Sequence, residues 1–466
     1  MATFSIENFG CRATEADAAA LRHGLLAGGF VLTEDQSSAD LVVLNTCTVT
    51  AAADSQTRDA LRKIHRANPA ARIIVTGCYA QRAPEEIAGL EGVSWVIGNS
   101  HQTEIPKIAA GLIEQSGERV FPAPVTQRDF VPTSLLDDGQ MSLARGPAKI
   151  LTGDIFAQAS VQVAPAGVGS GDRTRPVLKI QDGCNNRCSY CVIPFVRGRS
   201  RSLSPAVVVA EVQKLVASGS REIVLSGINL GAYGRDLTPR ASLFDVIHRI
   251  LNETDLEQLR LSSVEPQDVT EELISLIAGS PRLAPHFHVP LQSGSDRILR
   301  AMHRWYRAGH YAERVKRIRQ ISPHAAIGAD IIVGFPAESD EDFQATVELI
   351  ERLPFTYLHV FSFSARPGTE GAKLGEIVPA PVIRERARAL RALGRKKSSE
   401  FRATQAGRVL RALTLVGGDH TWTPALTANY LKVRIPGHVP ANEWREAPVL
   451  LDETSTEDCV AASSQR

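Results

Sequence analysis

Along the first hundred residues apolar positions come in blocks. Short β-branched runs, "FSI", "DLVVLNTC" and "RIIVTGC", alternate with longer segments in which apolar residues recur every three or four positions, "ATEADAAALRHGLLAG" and "AAADSQTRDALRKIHRA". A strand that is apolar throughout must be covered on both faces, and helices with one apolar stripe supply the cover. The block therefore predicts an open, parallel α/β sheet in a first domain spanning residues 1–120.

The pattern then fades. Residues 135–176 are rich in Gly, Ala, Ser and Pro and weakly periodic, so 121–176 reads as a linker with little structure of its own. From residue 177 the alternation resumes with six strand candidates, "VLKIQ", "REIVLSG", "LEQLRLSSV", "HFHVPLQ", "IGADIIVGF" and "YLHVFSFS", separated by helical stretches such as 205–218, 242–252 and 341–353. Repeated βα units close into a barrel at eight; six predict a partial (βα)6 barrel over 177–401. After a long basic helix at 382–402, the short runs "RVLRALTLVGG" and "NYLKVRIPG" predict a small antiparallel β-barrel within 402–466.

Composition narrows the function little. With 466 residues there is room for several domains, and a net charge of +1 announces no global field toward nucleic acid. Charge is nevertheless uneven: Arg402, Arg408, Arg411, Lys432 and Arg434 face a single acid, Asp419, between 402 and 440, a local basic stripe suited to RNA. Tyr430 and Trp422 suit base stacking, or equally the core of a small barrel. The N-terminus has neither a basic segment nor an apolar run of the signal-peptide kind, and no stretch approaches the ~18 apolar residues of a membrane span. The expectation is a cytoplasmic protein without a membrane partner.

Seven cysteines, an odd number in such a compartment, point to metal ligation or catalysis more than to disulfides. Cys11, Cys47 and Cys78 lie far apart in sequence, yet each follows a predicted strand: "IENFGC", "VVLNTC", "IIVTGC". In an open parallel sheet all carboxyl ends share one edge, so the fold would gather three thiols that the sequence separates. Ordinary buried cysteines or a zinc site with an open position are the alternatives. Cys184, Cys188 and Cys191, spaced C-x-x-x-C-x-x-C, follow the first strand of the barrel, at the face where barrel enzymes keep their chemistry. Three thiolates on a [4Fe-4S] cube leave one iron free for a small ligand, and no fourth Cys or His follows in "VIPFVRGRSRSLSP" to complete a zinc knuckle.

This cysteine motif at a barrel mouth resembles the radical S-adenosylmethionine (SAM) superfamily. The ordered set "LNTCTVT", "IIVTGCYAQ", "KIQDGCNNRCSYCVIP", "RGRSRS", "AYGRD", "RLSSVEP", "VPLQSGSD", "DIIVGFP" and "FSARPGT" resembles the methylthiotransferases within it, over nearly the whole chain. "KIQDGCN" and "NTCTVTAAAD" are most similar to the branch acting on N6-threonylcarbamoyladenosine at position 37 of tRNA. The resemblance implies an N-terminal methylthiotransferase domain, a radical SAM barrel and a C-terminal TRAM barrel that grips RNA. It also implies two [4Fe-4S] clusters: one on Cys184, Cys188 and Cys191, where SAM occupies the free iron, and an auxiliary, sulfur-donating one on Cys11, Cys47 and Cys78.

Further residues follow from the same resemblance. Gly227 and Asn229, with Asp236, would lie near the SAM amino group; Ser262, Ser263 and Glu265 would meet its ribose and amine; Gln292 and Ser293 follow, and Gly334 would admit the adenine. Arg197, Arg199 and Arg201 would meet the SAM carboxylate or tRNA phosphates. Expected partners are tRNA and an electron donor such as a flavodoxin or ferredoxin, with the sulfur source undefined and the chain a monomer. The pattern departs from the family in "CRATEAD", where Thr14, Glu15 and Asp17 stand in place of the usual Asn and later acid, and at Ala337, where Gly is common. The tail "ETSTEDCVAASSQR" is atypical, and its Cys459 has no assigned role. Rival readings are action on N6-isopentenyladenosine or on a ribosomal-protein aspartate, a non-catalytic RNA-binding iron-sulfur protein, and a zinc-dependent RNA hydrolase.

Overall fold

The structure is a computed structural model that describes residues 1–114, 148–161, 174–451 and 459–461. The chain forms two compact units, one of Met1–Gly169 with Asp182–Asn186 and Cys191–Arg201, the other of Ser170–Gln181, Arg187–Tyr190 and Ser202–Arg466.

The first unit is built on a six-stranded sheet of β1 (Thr3–Asn8), β2 (Val31–Leu32), β3 (Leu41–Thr46), β4 (Arg72–Gly77), β5 (Val93–Gly98) and β6 (Lys149–Leu151), in the order β2-β1-β3-β4-β5-β6. All its pairings are parallel. Strand alternation explains the unbroken apolar runs: Val42 and Leu44 face one layer with Leu61, Ile64 and Tyr79, while Leu41 and Val43 face the other with Leu21, Leu25 and Ile105. β6 falls in the stretch read as structureless. Its three residues are too few for a periodic signal, yet Ile150 and Leu151 are buried in opposite layers and extend the sheet. The other linker positions, 121–147 and 162–173, lie outside the described residues.

The second unit carries β7 (Val177–Asp182), β8 (Arg201–Ser202), β9 (Glu222–Gly227), β10 (Gln258–Leu261), β11 (His286–His288), β12 (Ala326–Val333) and β13 (Tyr357–Ser362). They form sheets ordered β10-β9-β7-β8 and β11-β12-β13, joined by the parallel bridges Leu259–Leu283 and Ser263–His288. The six expected strands are thus β7, β9, β10, β11, β12 and β13, side by side in chain order as in a partial barrel, with β13 paired only to β12 among the described residues. After the helix Ala380–Gln405, β14 (Val409–Thr414), β15 (Trp422–Thr427), β16 (Lys432–Pro436), β17 (Trp444–Leu451) and β18 (Cys459–Ala461) close a five-stranded barrel. It is antiparallel except for the parallel pair β16–β18. β18 comes from the atypical tail: Cys459 is fully buried in the barrel core with Ala412, Ala425, Val433 and Val449, which gives the seventh cysteine a packing role. Among the described residues no helix is long and apolar enough to cross a membrane.

Candidate functional site

β1, β3 and β4 are neighbours, so their carboxyl ends bring Cys11, Cys47 and Cys78 to one edge. Cys47 directly follows β3, Cys78 opens the helix Cys78–Arg82 after β4, and Cys11 caps the helix Arg12–Ala27 after β1. Two glycines permit the approach. Gly10, at φ +119°, lies where an added Cβ would come within 2.6 Å of Cys47 Cβ and 3.1 Å of its Sγ, and one at Gly77, φ +97°, would sit 2.3 Å from the Thr46 carbonyl oxygen. Cys11 is exposed, Cys47 and Cys78 buried. Burial pushes the Cys47 thiol up to about 12, with repulsion from Cys78 and Cys11 adding to it, and burial likewise raises Cys78. Thiols crowded enough to oppose one another's ionisation become thiolates only beside strong positive charge. That donor set fits a thiolate-bound iron-sulfur cluster.

The positive charge beside Cys78 is Arg197, and its placement corrects the sequence reading. Only 2% of its side chain is exposed. Nη2 bonds Asp17 at 2.7 Å, Nη1 bonds Asp182 at 3.1 Å, and Nε donates to Cys78 Sγ at 3.3 Å. Arg201 is buried too, donating to the Ser160 and Arg197 carbonyls at 2.7 and 2.6 Å. Neither guanidinium can meet a tRNA phosphate; of the three arginines only Arg199 is exposed. Asp17, part of the departure from the family pattern, proves to be the Arg197 counter-ion. Asn99, unforeseen in the sequence, donates to Cys78 Sγ at 3.5 Å and to the Val196 carbonyl at 2.7 Å.

Cys184, Cys188 and Cys191 all fall in the segment between β7 and the helix Ile193–Arg197. The Cys184 amide donates to the Gly198 carbonyl at 3.1 Å, and the Asn186 amide reaches Cys184 Sγ at 3.4 Å. Cys188 Sγ accepts from Arg304 Nη1 at 3.3 Å. Arg304 is a second residue that nothing in the sequence singled out: buried, and ion-paired with Glu265. Each three-cysteine set therefore contains one sulfur facing a guanidinium that a carboxylate holds in place, and such hydrogen bonds tune thiolate-bound iron.

The expected SAM contacts divide by whether their polar atoms are already engaged. Gly227 ends β9, and a Cβ there would sit 2.9 Å from Gln181 Oε1, which accepts from the Asn229 amide at 2.8 Å. Asn229 Oδ1 and Ser262 Oγ are buried without a partner among the described residues and so are free to accept a hydrogen bond. Ser263 is exposed. Glu265 is engaged by Arg304, and Asp236 accepts from the Ser202 amide and hydroxyl at 2.8 and 2.6 Å. Ser293 Oγ accepts from the Ser295 amide at 3.2 Å, while Gln292 holds a left-handed turn at φ 65°. Gly334 turns at φ +74° with its Cβ direction filled by Ile383, and its amide donates to Glu338 Oε2 at 2.8 Å. Helix packing is reason enough for that glycine.

The basic stripe is thinner than its sequence. Arg402 is buried, Arg411 pairs with Glu257 at 2.5 Å over the Trp444 ring, and Arg434 lies over Trp422. Tyr430 stacks on His286 with centroids 4.2 Å apart, so that ring packs inward.

Comparison with known proteins follows these divisions. Residues 3–98 match the family described as "Uncharacterized protein family UPF0004", and residues 178–350 match the Radical SAM superfamily. The threonylcarbamoyladenosine tRNA methylthiotransferase MtaB of Aquifex aeolicus is 36% identical over 434 residues, 93% of this chain and 97% of that protein. Its namesake in Bacillus subtilis is 33% identical, covering 94% and 91%. A tRNA-2-methylthio-N(6)-dimethylallyladenosine synthase of Syntrophobacter fumaroxidans is 36% identical over 81% of this chain and 77% of its own length. Among solved structures, the radical SAM methyltransferase TsrM of Kitasatospora setae shares the fold at a TM-score of 0.56 and 17% identity, covering 80% of this chain and 77% of its own.

Proposed function

Because this chain belongs to the radical SAM methylthiotransferase family and is an enzyme acting on tRNA, we propose that it methylthiolates C2 of N6-threonylcarbamoyladenosine at position 37. The observation that carries the substrate assignment is the similarity to the Aquifex and Bacillus relatives named for that nucleoside over 93% and 94% of this chain, against 81% and 89% for two dimethylallyladenosine synthases. The second reading, N6-isopentenyladenosine, is favoured by the equal identity of 36% in both.

Cys184, Cys188 and Cys191 would hold a [4Fe-4S] cluster that, with SAM, supplies a carbon radical strong enough to break an unactivated C2–H bond, which acid-base chemistry at neutral pH cannot. Arg304 would steady Cys188 while Glu265 balances its charge. Asn229 Oδ1 and Ser262 Oγ would accept hydrogen bonds from SAM. Cys11, Cys47 and Cys78 would hold a second [4Fe-4S] cluster carrying the sulfur to be transferred, with Arg197 and Asn99 donating to Cys78. Gly227, Ser263, Gln292 and Gly334 complete the proposed pocket. The division into 1–120, 121–176, 177–401 and 402–466, a cytoplasmic monomer, and an electron donor of the flavodoxin or ferredoxin class belong to the same proposal.

Anaerobically reconstituted protein is expected to carry about eight irons and eight sulfides per chain, from the stoichiometry of two cubes. Changing Cys184, Cys188 and Cys191 together to Ala leaves about four of each. Stoichiometric zinc with no sulfide would sink the reading.

A further inference from the structure

One face of β11, β12 and β13 carries polar and aromatic side chains beyond those named above for SAM and the clusters. Strand register puts His286 and His288, Gly328 and Asp330, and Tyr357, His359 and Phe361 on one face. Gly328 makes room for its neighbour, since a Cβ there would lie 2.0 Å from Tyr357 Cζ. The rings form a continuous row: Tyr357 to His359 is 5.3 Å between centroids, His288 to His359 5.1 Å, and His359 to Phe361 6.5 Å. One end is packed under Tyr430. The other is open, with 53% of the His359 side chain and 43% of Phe361 exposed.

Asp330 sits inside the row. Its Oδ1 accepts from His288 Nε2 at 2.9 Å and His359 Nδ1 at 3.2 Å, while Tyr357 Oη bridges His286 Nε2 and His288 Nδ1 at 2.8 and 2.9 Å. Burial opposes ionisation of Asp330, yet the two imidazoles hold its carboxyl well below the usual carboxylate range. An anion here repels phosphate and accepts from N–H. Exposed rings beside such an acceptor, on a strand that pairs on one side only among the described residues, match a nucleobase, which offers a π face and exocyclic N–H donors.

We propose that His359 and Phe361, with Asp330 between the imidazoles, form the platform on which a purine of the tRNA loop carrying position 37 stacks. This rests on the tRNA substrate proposed above. The ligand atoms of His288, Asp330 and His359 lie within 4.8 Å of one another, close enough for a divalent cation. The hydrogen-bonding reading is favoured because both imidazoles already stand at hydrogen-bond distance from Asp330 Oδ1, and His288 turns its other nitrogen to Tyr357.

The test uses the full reconstituted chain and an RNA stem-loop with 2-aminopurine at position 37 or at either neighbour. Stacking quenches its fluorescence. The wild type and His359→Phe should quench at one of these positions, whereas His359→Ala combined with Phe361→Ala should lose the quench and bind about tenfold or more weakly, from the usual worth of base-aromatic stacking. Unchanged quenching and affinity in that double variant, with an unfolding profile like the wild type's, overturns the platform alone. A wild type that does not bind the stem-loop overturns the tRNA reading and the platform with it. One bound zinc or manganese per chain, lost in Asp330→Asn, overturns it in favour of a metal centre.

Discussion

Arg197→Leu should destabilise the first unit by about 3–5 kcal/mol, the usual penalty for removing one partner from a buried ion pair. Asp17 is 1% exposed and Asp182 7%, and both bond this one guanidinium. Leucine fills some of the volume but takes from Asp17 the guanidinium it meets at 2.7 Å, a closer contact than the 3.1 Å to Asp182. Asp182 keeps Arg201 at 3.6 Å. Adding Asp17→Asn to the variant should therefore recover part of the loss, while Asp182→Asn should recover less. Calorimetric unfolding of the wild type and the three variants decides this, and equal stability of Arg197→Leu and wild type would contradict the buried pair. Arg197→Lys separates charge from geometry. It keeps a cation between the carboxylates but cannot reproduce the planar fork that reaches Cys78 Sγ at 3.3 Å. The reduction potential of the cluster proposed at Cys78 should fall in Arg197→Lys, because a donor to a ligating sulfur favours the reduced form.

The second large effect is selective. Cys47→Ala should abolish methylthiolated product while reductive SAM cleavage continues. Each three-cysteine set is supplied by its own segments of chain, so removing one sulfur would cost the cluster proposed there a ligand and spare the other. The structure makes Cys47 a cleaner choice than Cys78. Cys78 is tied through Arg197 to Asp182, two positions before Cys184, so its loss would disturb the loop that carries the other set. Cys47 instead stands under Gly10, and its sulfur is not one that Arg197 hydrogen-bonds. Product formation at the wild-type rate by Cys47→Ala would remove the auxiliary cluster from the reaction.

The cysteine edge was legible because it depends on strand ends alone. β3 and β4 are apolar on both faces and β1 on one, each is followed by Cys within three residues, and parallel topology does the gathering. The partial barrel was legible because apolar strands recur between helical stretches, with β-branched residues concentrated in β7, β9 and β12. β6 was not, because its three residues bury apolar side chains inside a Gly- and Pro-rich stretch, and β18 was hidden behind the acidic "ETSTED". Arginine roles were the least readable. The spacing of Arg197, Arg199 and Arg201 says that alternate residues share a direction, not which of them meets a carboxylate inside, and the lone Arg304 in "MHRWYR" carries no periodic signal. The row on β11 and β13 did leave a trace, rings two residues apart in "HFH" and "YLHVF", which the same alternation also explains as an ordinary strand.

The central claim is that this chain places a methylthio group on C2 of N6-threonylcarbamoyladenosine in tRNA. The direct measurement is nucleoside mass spectrometry after reaction of the reconstituted enzyme with SAM and a reductant, on threonylcarbamoyl-modified and isopentenyl-modified tRNA side by side. Addition of a methylthio group to the threonylcarbamoyl nucleoside, accompanied by 5′-deoxyadenosine, is the expected result. Product from the isopentenyl-modified tRNA alone, or 5′-deoxyadenosine with neither nucleoside changed, would contradict it.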